Sequence, residues 1–165
     1  SGDECEIHSY DLHANRLKLV SDGAKRLGLK SISVKAADGR TGDTELFGKA
    51  DAIICDVPCS GLGVIAKKPD IRYKDIADIE RLPEVQLAIL KTSANYVKRG
   101  GFIVYSTCTL RNAENNDVVN AFLAENGDFE LCPTGLPGDK DGMCTFLPHK
   151  THTDGFFAAK LVKKA

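Results

Sequence analysis

Ala50-Asp51-Ala52-Ile53-Ile54-Cys55-Asp56 runs directly into Val57-Pro58-Cys59-Ser60-Gly61. A short apolar run bounded by turn residues reads as a central parallel strand. Downstream, Phe102-Ile103-Val104-Tyr105-Ser106 repeats the pattern and runs into Thr107-Cys108-Thr109. Cys59 and Cys108 therefore each fall just past a strand's C-terminal end, where open α/β sheets place their ligands. Two thiols aimed into one crevice suit chemistry in which one sulfur attacks and a second group completes the reaction.

Working outward from these strands, the chain alternates strand and helix. Residues 6–10 form a strand candidate ending at Asp11, and residues 13–29 carry Leu17, Val20, Ala24 and Leu27 at helical spacing before Gly28. Residues 31–35 alternate as a strand ending near Asp38-Gly39, and residues 40–49 are a polar loop. The connection over 57–79 is long enough to be functional. Pro83 opens a helix that Gly100-Gly101 stops, and Asn112 is an N-cap candidate with Glu114 in the first turn. Val118, Val119, Phe122 and Leu123 give the following helix its buried stripe. Residues 129–132 and 155–162 read as the last strands, separated by a Pro/Gly-rich loop over 133–142. Such alternation predicts an α/β sheet with helices on both faces, closed at one edge by an antiparallel hairpin.

The chain has 165 residues, 42% hydrophobic and 27% charged, which suits one domain with a substantial core. A net charge of -1 excludes a global basic field, so any nucleic-acid site is a local patch. The six cysteines contain no CxxC pair and no regular framework. With no secretory signal and no transmembrane run, they read as reduced thiols of a cytoplasmic protein. No ligand pair has zinc spacing, so no metal is expected.

Asp11, Asp38 and Asp56 each follow a strand candidate and could face one crevice. Asp commonly occupies turns by bonding nearby amides, but three in register point to a nucleoside ligand. Cys55 lies inside its strand and, like Cys132, reads as a small buried hydrophobe. Lys67, Lys68 and Arg72 form either a solvated surface or a clamp on a phosphate backbone, with Tyr73 available to stack a base. His149 and His152 fall in a segment without helical pattern and read as surface residues.

Asp56-Val57-Pro58-Cys59-Ser60-Gly61-Leu62-Gly63 with Lys68-Pro69-Asp70-Ile71-Arg72, then Tyr105-Ser106-Thr107-Cys108-Thr109, then Thr153-Asp154-Gly155-Phe156-Phe157, together resemble the signatures of the Sun-group (Nop/Sun) RNA (cytosine-5)-methyltransferases. The resemblance covers nearly the whole chain. It implies a Rossmann-like class I methyltransferase sheet, S-adenosylmethionine as cofactor, and an RNA partner, with ribosomal RNA of the small subunit (16S) as substrate. It further implies that Cys108 attacks cytosine C6 and that Cys59 assists product release. Asp56 would bond the cytosine edge, the cofactor's amino end, or both. Asp11 would take the ribose hydroxyls, Asp38 the adenine side, and Arg16 would also reach the cofactor. Pro58, Lys67, Lys68 and Arg72 would contact the substrate, whose target base must be unpaired or flipped. The alternatives are a noncatalytic RNA-binding module that keeps the fold, and a methyltransferase acting on a protein or small molecule. Retention of both cysteines speaks against the first, since binding needs no thiol.

Two departures from the family pattern stand out. Where the family often has Pro and then Glu-Asn-Glu, this chain has Asn112 and Glu114-Asn115-Asn116. No Gly-rich loop precedes Asp11, although such a sheet begins with a strand running into one. The chain, residues 1–165, thus reads as a partial methyltransferase domain that starts at the second strand, and unpaired strand groups invite self-association through the gap. Calorimetry on this chain is expected to show weak or no binding of S-adenosylmethionine; low-micromolar affinity would contradict that expectation.

Overall fold

The computed structural model describes residues 3–165, which divide into two compact bodies, one up to Gly42 and one over 43–165. In the first, β1 (Ile7–Asp11) and β2 (Ile32–Ala36) pair in parallel, with Ile7 opposite Ile32 and Asp11 opposite Ala36. The crossover is α1 (Ala14–Leu27), which packs on both strands and buries Leu17 and Ala24. Val20 and Leu27, expected on the same stripe, are exposed instead. Each lies three residues beyond a buried position, and three residues turn a helix about 60° short of a full circle, onto its flank. Gly28 ends the helix in the left-handed region at φ 71°, its N–H bonded back to Lys25, as a glycine cap does.

The second body contains β3 (Ala50–Asp56), α2 (Ile76–Glu80), α3 (Leu82–Tyr96), β4 (Val97–Thr107), α4 (Asn116–Glu125), β5 (Phe129–Leu131), β6 (Met143–Phe146), α5 (Pro148–Thr151) and β7 (Phe156–Lys163). The strand order is β3-β4-β7-β5, with β6 also paired to β7. β3 and β4 are parallel, while β7 runs antiparallel to β4, β5 and β6. Helices α3 and α4 bury Leu90, Ala94, Val118, Val119 and Phe122 against Cys55, Ile103, Tyr105, Phe157 and Leu161. Within this core Tyr105 and Phe157 meet edge-on at 6.3 Å, and Phe122 and Phe129 at 5.3 Å, both favoured aromatic arrangements.

Four expectations are corrected. In its own sheet β3 pairs only with β4, so it is an edge rather than a central strand. Cys55 points toward α3 and is buried, whereas Ala52, Ile54 and Asp56 point the other way, and Ile54 is 80% exposed. Gly100-Gly101 does not stop the helix. The helix ends at Tyr96 because Val97, β-branched and fully buried, already pairs with Ala50. Residues 98–101 then bulge out before Phe102 pairs with Ala52. Gly100 takes φ 76°, and a Cβ on Gly101 would meet the Asp51 carbonyl at 2.8 Å, so the bulge requires both glycines.

The C-terminal hairpin is present in modified form. β7 pairs antiparallel with β5, but it is inserted between β5 and β4 instead of closing the edge. The four-residue β6, too short to announce itself by alternation, pairs with the first half of β7. Finally, residues 148–151 form one helical turn initiated by Pro148, leaving His149 and His152 exposed.

Burial pushes the Cys55 thiol up to about 11 from its ordinary 9.0, only partly offset by Ser93 Oγ at 3.5 Å. The folded state therefore holds this proton where the unfolded chain has released it. The contribution is complete below the unfolded value of 9.0 and is lost as pH rises toward 11. Urea midpoints are expected to fall between about pH 8 and about pH 10, and to fall less for Cys55→Ala than for the unmodified chain; an equal fall in both would contradict the assignment.

Candidate active site

The register of β3 and β4 carries the site. Asp56 stands opposite Ser106, so the two parallel strands end level and their loops turn off at the same height. Ser106 Oγ donates to Asp56 Oδ1 at 3.3 Å, and the Val57 amide bonds the Ser106 carbonyl. Three residues past Asp56, and one past the end of β4, Cys59 and Cys108 bring their Sγ atoms to 3.1 Å. Burial, and then the Cys108 sulfur beside it, push the Cys59 thiol up to about 12. Cys59 is therefore a protonated thiol at neutral pH.

The two cysteine loops are tied to each other and to a third segment. Ser60 Oγ and Thr109 Oγ1 lie 2.8 Å apart, fully buried. The Gly63 amide donates to the Cys108 carbonyl, and the Gly155 amide donates to the Gly63 carbonyl, each at 2.9 Å. A Cβ on Gly63 would sit 2.1 Å from the Gly155 oxygen. Three backbones approach at that point as only a glycine allows, which explains why Gly63 and Gly155 stand in separate motifs of the sequence.

Beneath these loops lies a buried polar cluster. Glu114, 0% exposed, accepts from the Ser60 amide at 2.8 Å and from Gln86 Nε2 at 3.0 Å. Gln86 Nε2 also donates to the Pro58 carbonyl at 2.9 Å. Arg111 pairs with Glu114 at 3.6 Å and with Glu80. Asn115 accepts from Thr107 Oγ1 at 2.6 Å and donates to the Thr109 carbonyl at 3.0 Å, bracketing Cys108. The Tyr105 hydroxyl donates to the Glu114 carbonyl at 2.6 Å. At the rim, Lys74 Nζ donates to the Ser60 carbonyl at 2.8 Å.

Several of these residues were missed or misread in the sequence. Asn112 makes no side-chain cap and α4 starts only at Asn116; residues 112–114 form a separate 3-10 turn, in which Glu114 is buried. The available signal was Gln86, a polar residue four positions before Leu90 on the buried face of α3.

The remaining predicted residues are placed as follows. Pro58, Lys68 and Arg72 are exposed, the last two on a 3-10 turn over 69–73 and its cap. Lys67 is committed to Asp154 at 2.6 Å, which removes part of its charge from the expected patch. Tyr73 is 84% exposed. In the first body, Asp11 is the last residue of β1 and Asp38 lies two residues past the end of its neighbour β2. Asp11 accepts from the His13 amide at 2.7 Å and pairs with Arg16 at 3.6 Å. Asp38 is gripped by Arg40, whose hydrogen bonds hold its carboxyl down at about 2. Among the described residues no cluster of three metal-ligating side chains occurs, and no helix is long and apolar enough to cross a membrane.

An open α/β sheet with paired thiols at its strand ends places two sulfurs where such sheets bind ligands. The sequence model described as 16S rRNA methyltransferase RsmB/F matches residues 2–162, and the chain belongs to this family. It is 44% identical over 96% of its length to the probable ribosomal RNA small subunit methyltransferase B of Bacillus subtilis, and 40% identical over 98% to ribosomal RNA small subunit methyltransferase B of Escherichia coli. It spans 38% and 37% of those proteins. Among solved structures, it matches NSun6 from Pyrococcus horikoshii, solved with SFG, at TM-score 0.84 and 33% identity over 99% of this chain and 42% of that one. The crystal structure of PH0851 matches at TM-score 0.92 and 31% identity, over 98% of this chain and 38% of that one.

With the sulfurs 3.1 Å apart, the thiol oxidant diamide is expected to link Cys59 to Cys108. Peptide mass spectrometry would show the pair joined and a reductant would release it; preferential linkage of Cys55 or Cys132 would contradict the geometry.

Proposed function

We propose that the protein methylates C5 of a cytosine in small-subunit (16S) ribosomal RNA, in the cytoplasm, through a covalent bond between Cys108 and the base. The observation that supports this most is the pair of sulfurs at 3.1 Å just past the ends of β3 and β4. Cytosine C5 is a weak nucleophile. Addition of Cys108 Sγ to C6 pushes the ring electrons toward C5, which can then accept a methyl group. A water molecule takes the C5 proton, its electron pair returns to the ring, and the bond from C6 to Cys108 breaks with the sulfur leaving as a thiolate. Cys59 Sγ lies 3.1 Å from the sulfur that must leave, close enough for its S–H to hydrogen-bond the departing thiolate and keep it from re-adding, without giving up its own proton.

S-adenosylmethionine, when bound, supplies the electrophilic methyl group. The donor set fits its nucleoside part. Asp11 and Asp38 are acceptors at the ends of two parallel strands, where ribose hydroxyls and an adenine amine need acceptors. Asp11 retains lone pairs beyond its His13 bond, and Arg16 pairs with it at 3.6 Å. Both Asp38 oxygens accept from Arg40, so Asp38 serves the adenine side once Arg40 releases one of them. Asp56 accepts from the cytosine edge or the cofactor's amino end. Lys68 and Arg72, with Lys67 when Asp154 releases it, contact phosphates, and Tyr73 offers an exposed ring for stacking. Pro58 borders the base.

In the complete protein, Cys108→Ala is expected to abolish RNA labelling from tritiated S-adenosylmethionine. Cys59→Ala is expected to accumulate a protein–RNA adduct that survives denaturing electrophoresis. Continued labelling by the Cys108 variant would refute the assignment, and RNA binding without any labelling by the unmodified protein would favour a noncatalytic module. Bisulfite mapping of total RNA from cells with and without the intact gene identifies the cytosine.

A further inference from the structure

We propose that Gln86 is a positioning residue for Cys59, acting with Glu114 to hold the release thiol against Cys108; this rests on the covalent mechanism proposed above. Gln86 lies on α3, far in sequence from both cysteine motifs, and is 0% exposed. An amide on the buried face of a helix is costly unless its hydrogen bonds are made. Here both hydrogens of Nε2 are used, one on the Pro58 carbonyl at 2.9 Å and one on Glu114 Oε2 at 3.0 Å. The same Glu114 oxygen accepts from the Ser60 amide at 2.8 Å.

The two peptide groups gripped in this way are those on either side of Cys59. The Pro58 carbonyl belongs to the peptide entering it and the Ser60 amide to the peptide leaving it. Fixing both planes fixes the backbone rotations at Cys59 and so the direction of its Cα–Cβ bond. Gln86 therefore acts on Sγ without touching it. The amide can be oriented only one way. Turned over, its oxygen would face two acceptors, the Pro58 carbonyl and the Glu114 carboxylate. In the orientation present, Gln86 Oε1 is buried with no partner, while Nε2 makes both of its bonds. A residue kept merely to fill space would be apolar here, as Leu90 and Ala94 are on the same face.

The consequence is specific to one step. Cys108 is bracketed separately by Asn115, so loosening Gln86 leaves the attacking sulfur's own support in place. It allows Cys59 to drift from the leaving sulfur, and the covalent intermediate persists.

The test uses the complete protein, its RNA and tritiated S-adenosylmethionine, with adduct read on denaturing gels and turnover read in the same reaction. Gln86→Met keeps the side chain's length and removes both donors. It is expected to raise the adduct fraction about tenfold and to slow steady turnover by a similar factor. Gln86→Asn keeps an amide one methylene shorter, which cannot reach both partners; it is expected to accumulate adduct to a lesser degree. A purely structural role would lower adduct and turnover together. If Gln86→Met fails to fold, Gln86→Asn decides. An adduct fraction like that of the unmodified protein in a folded Gln86 variant, while Cys59→Ala does trap adduct, overturns this role alone. Absence of adduct from Cys59→Ala itself overturns the covalent mechanism beneath it.

Discussion

Everything at the site depends on the parallel register of β3 against β4. Ile53 opposite Ile103, through to Asp56 opposite Ser106, brings two strands from distant parts of the chain to a common end. A slip of one residue would turn Cys55 out of the core and reverse the faces of Asp56 and Ser106. The register is held from one side. Cys55, Ile103 and Tyr105 pack with Phe157 and Leu161 of β7 under α3 and α4. The bulge at residues 98–101 also marks it, because it lets both Ala50 and Ala52 find partners.

Above that register, the loops are joined by polar contacts in a dry place. Ser60 with Thr109, Glu114 with the Ser60 amide, and Asn115 across Thr107 and Thr109 are all buried. Such networks rigidify when satisfied. This one is not fully satisfied: Gln86 Oε1 is buried without a hydrogen-bond partner, while Glu114 Oε1 and Arg111 Nη1 face each other as an ion pair at 3.6 Å. A buried group left like Gln86 Oε1 costs about 1–3 kcal/mol. The expense falls at the one place where two thiols must meet at a fixed distance, which is where strain and polar burial are expected to collect.

Charge is handled differently at the rim. Lys67 is paired with Asp154, and Lys74 with the Ser60 carbonyl, so two of the cations in the long 57–79 connection brace it. Lys68, Arg72 and Tyr73 stay exposed. The connection thus has an inner side that holds the Cys59 loop, through Ile71 packed against Gly61, and an outer side that presents cations and a ring.

Strand–helix alternation, the Gly28 cap, the long connection and the two cysteines past their strands were legible in the sequence, because periodicity and turn chemistry are local. The cysteine motifs also carried the family, whose sequence model matches residues 2–162. What sequence could not supply was anything set by partners distant along the chain. The edge position of β3, the insertion of β7 between β4 and β5, and the strand start at Val97 follow from pairing, which periodicity does not record. Glu114 looked like a helix-end carboxylate, and Gln86 like nothing in particular. Only the tertiary structure buried both beneath Cys59, because their partners, the Pro58 carbonyl and the Ser60 amide, are backbone groups that every residue but proline's missing amide provides alike, and so leave no trace in sequence.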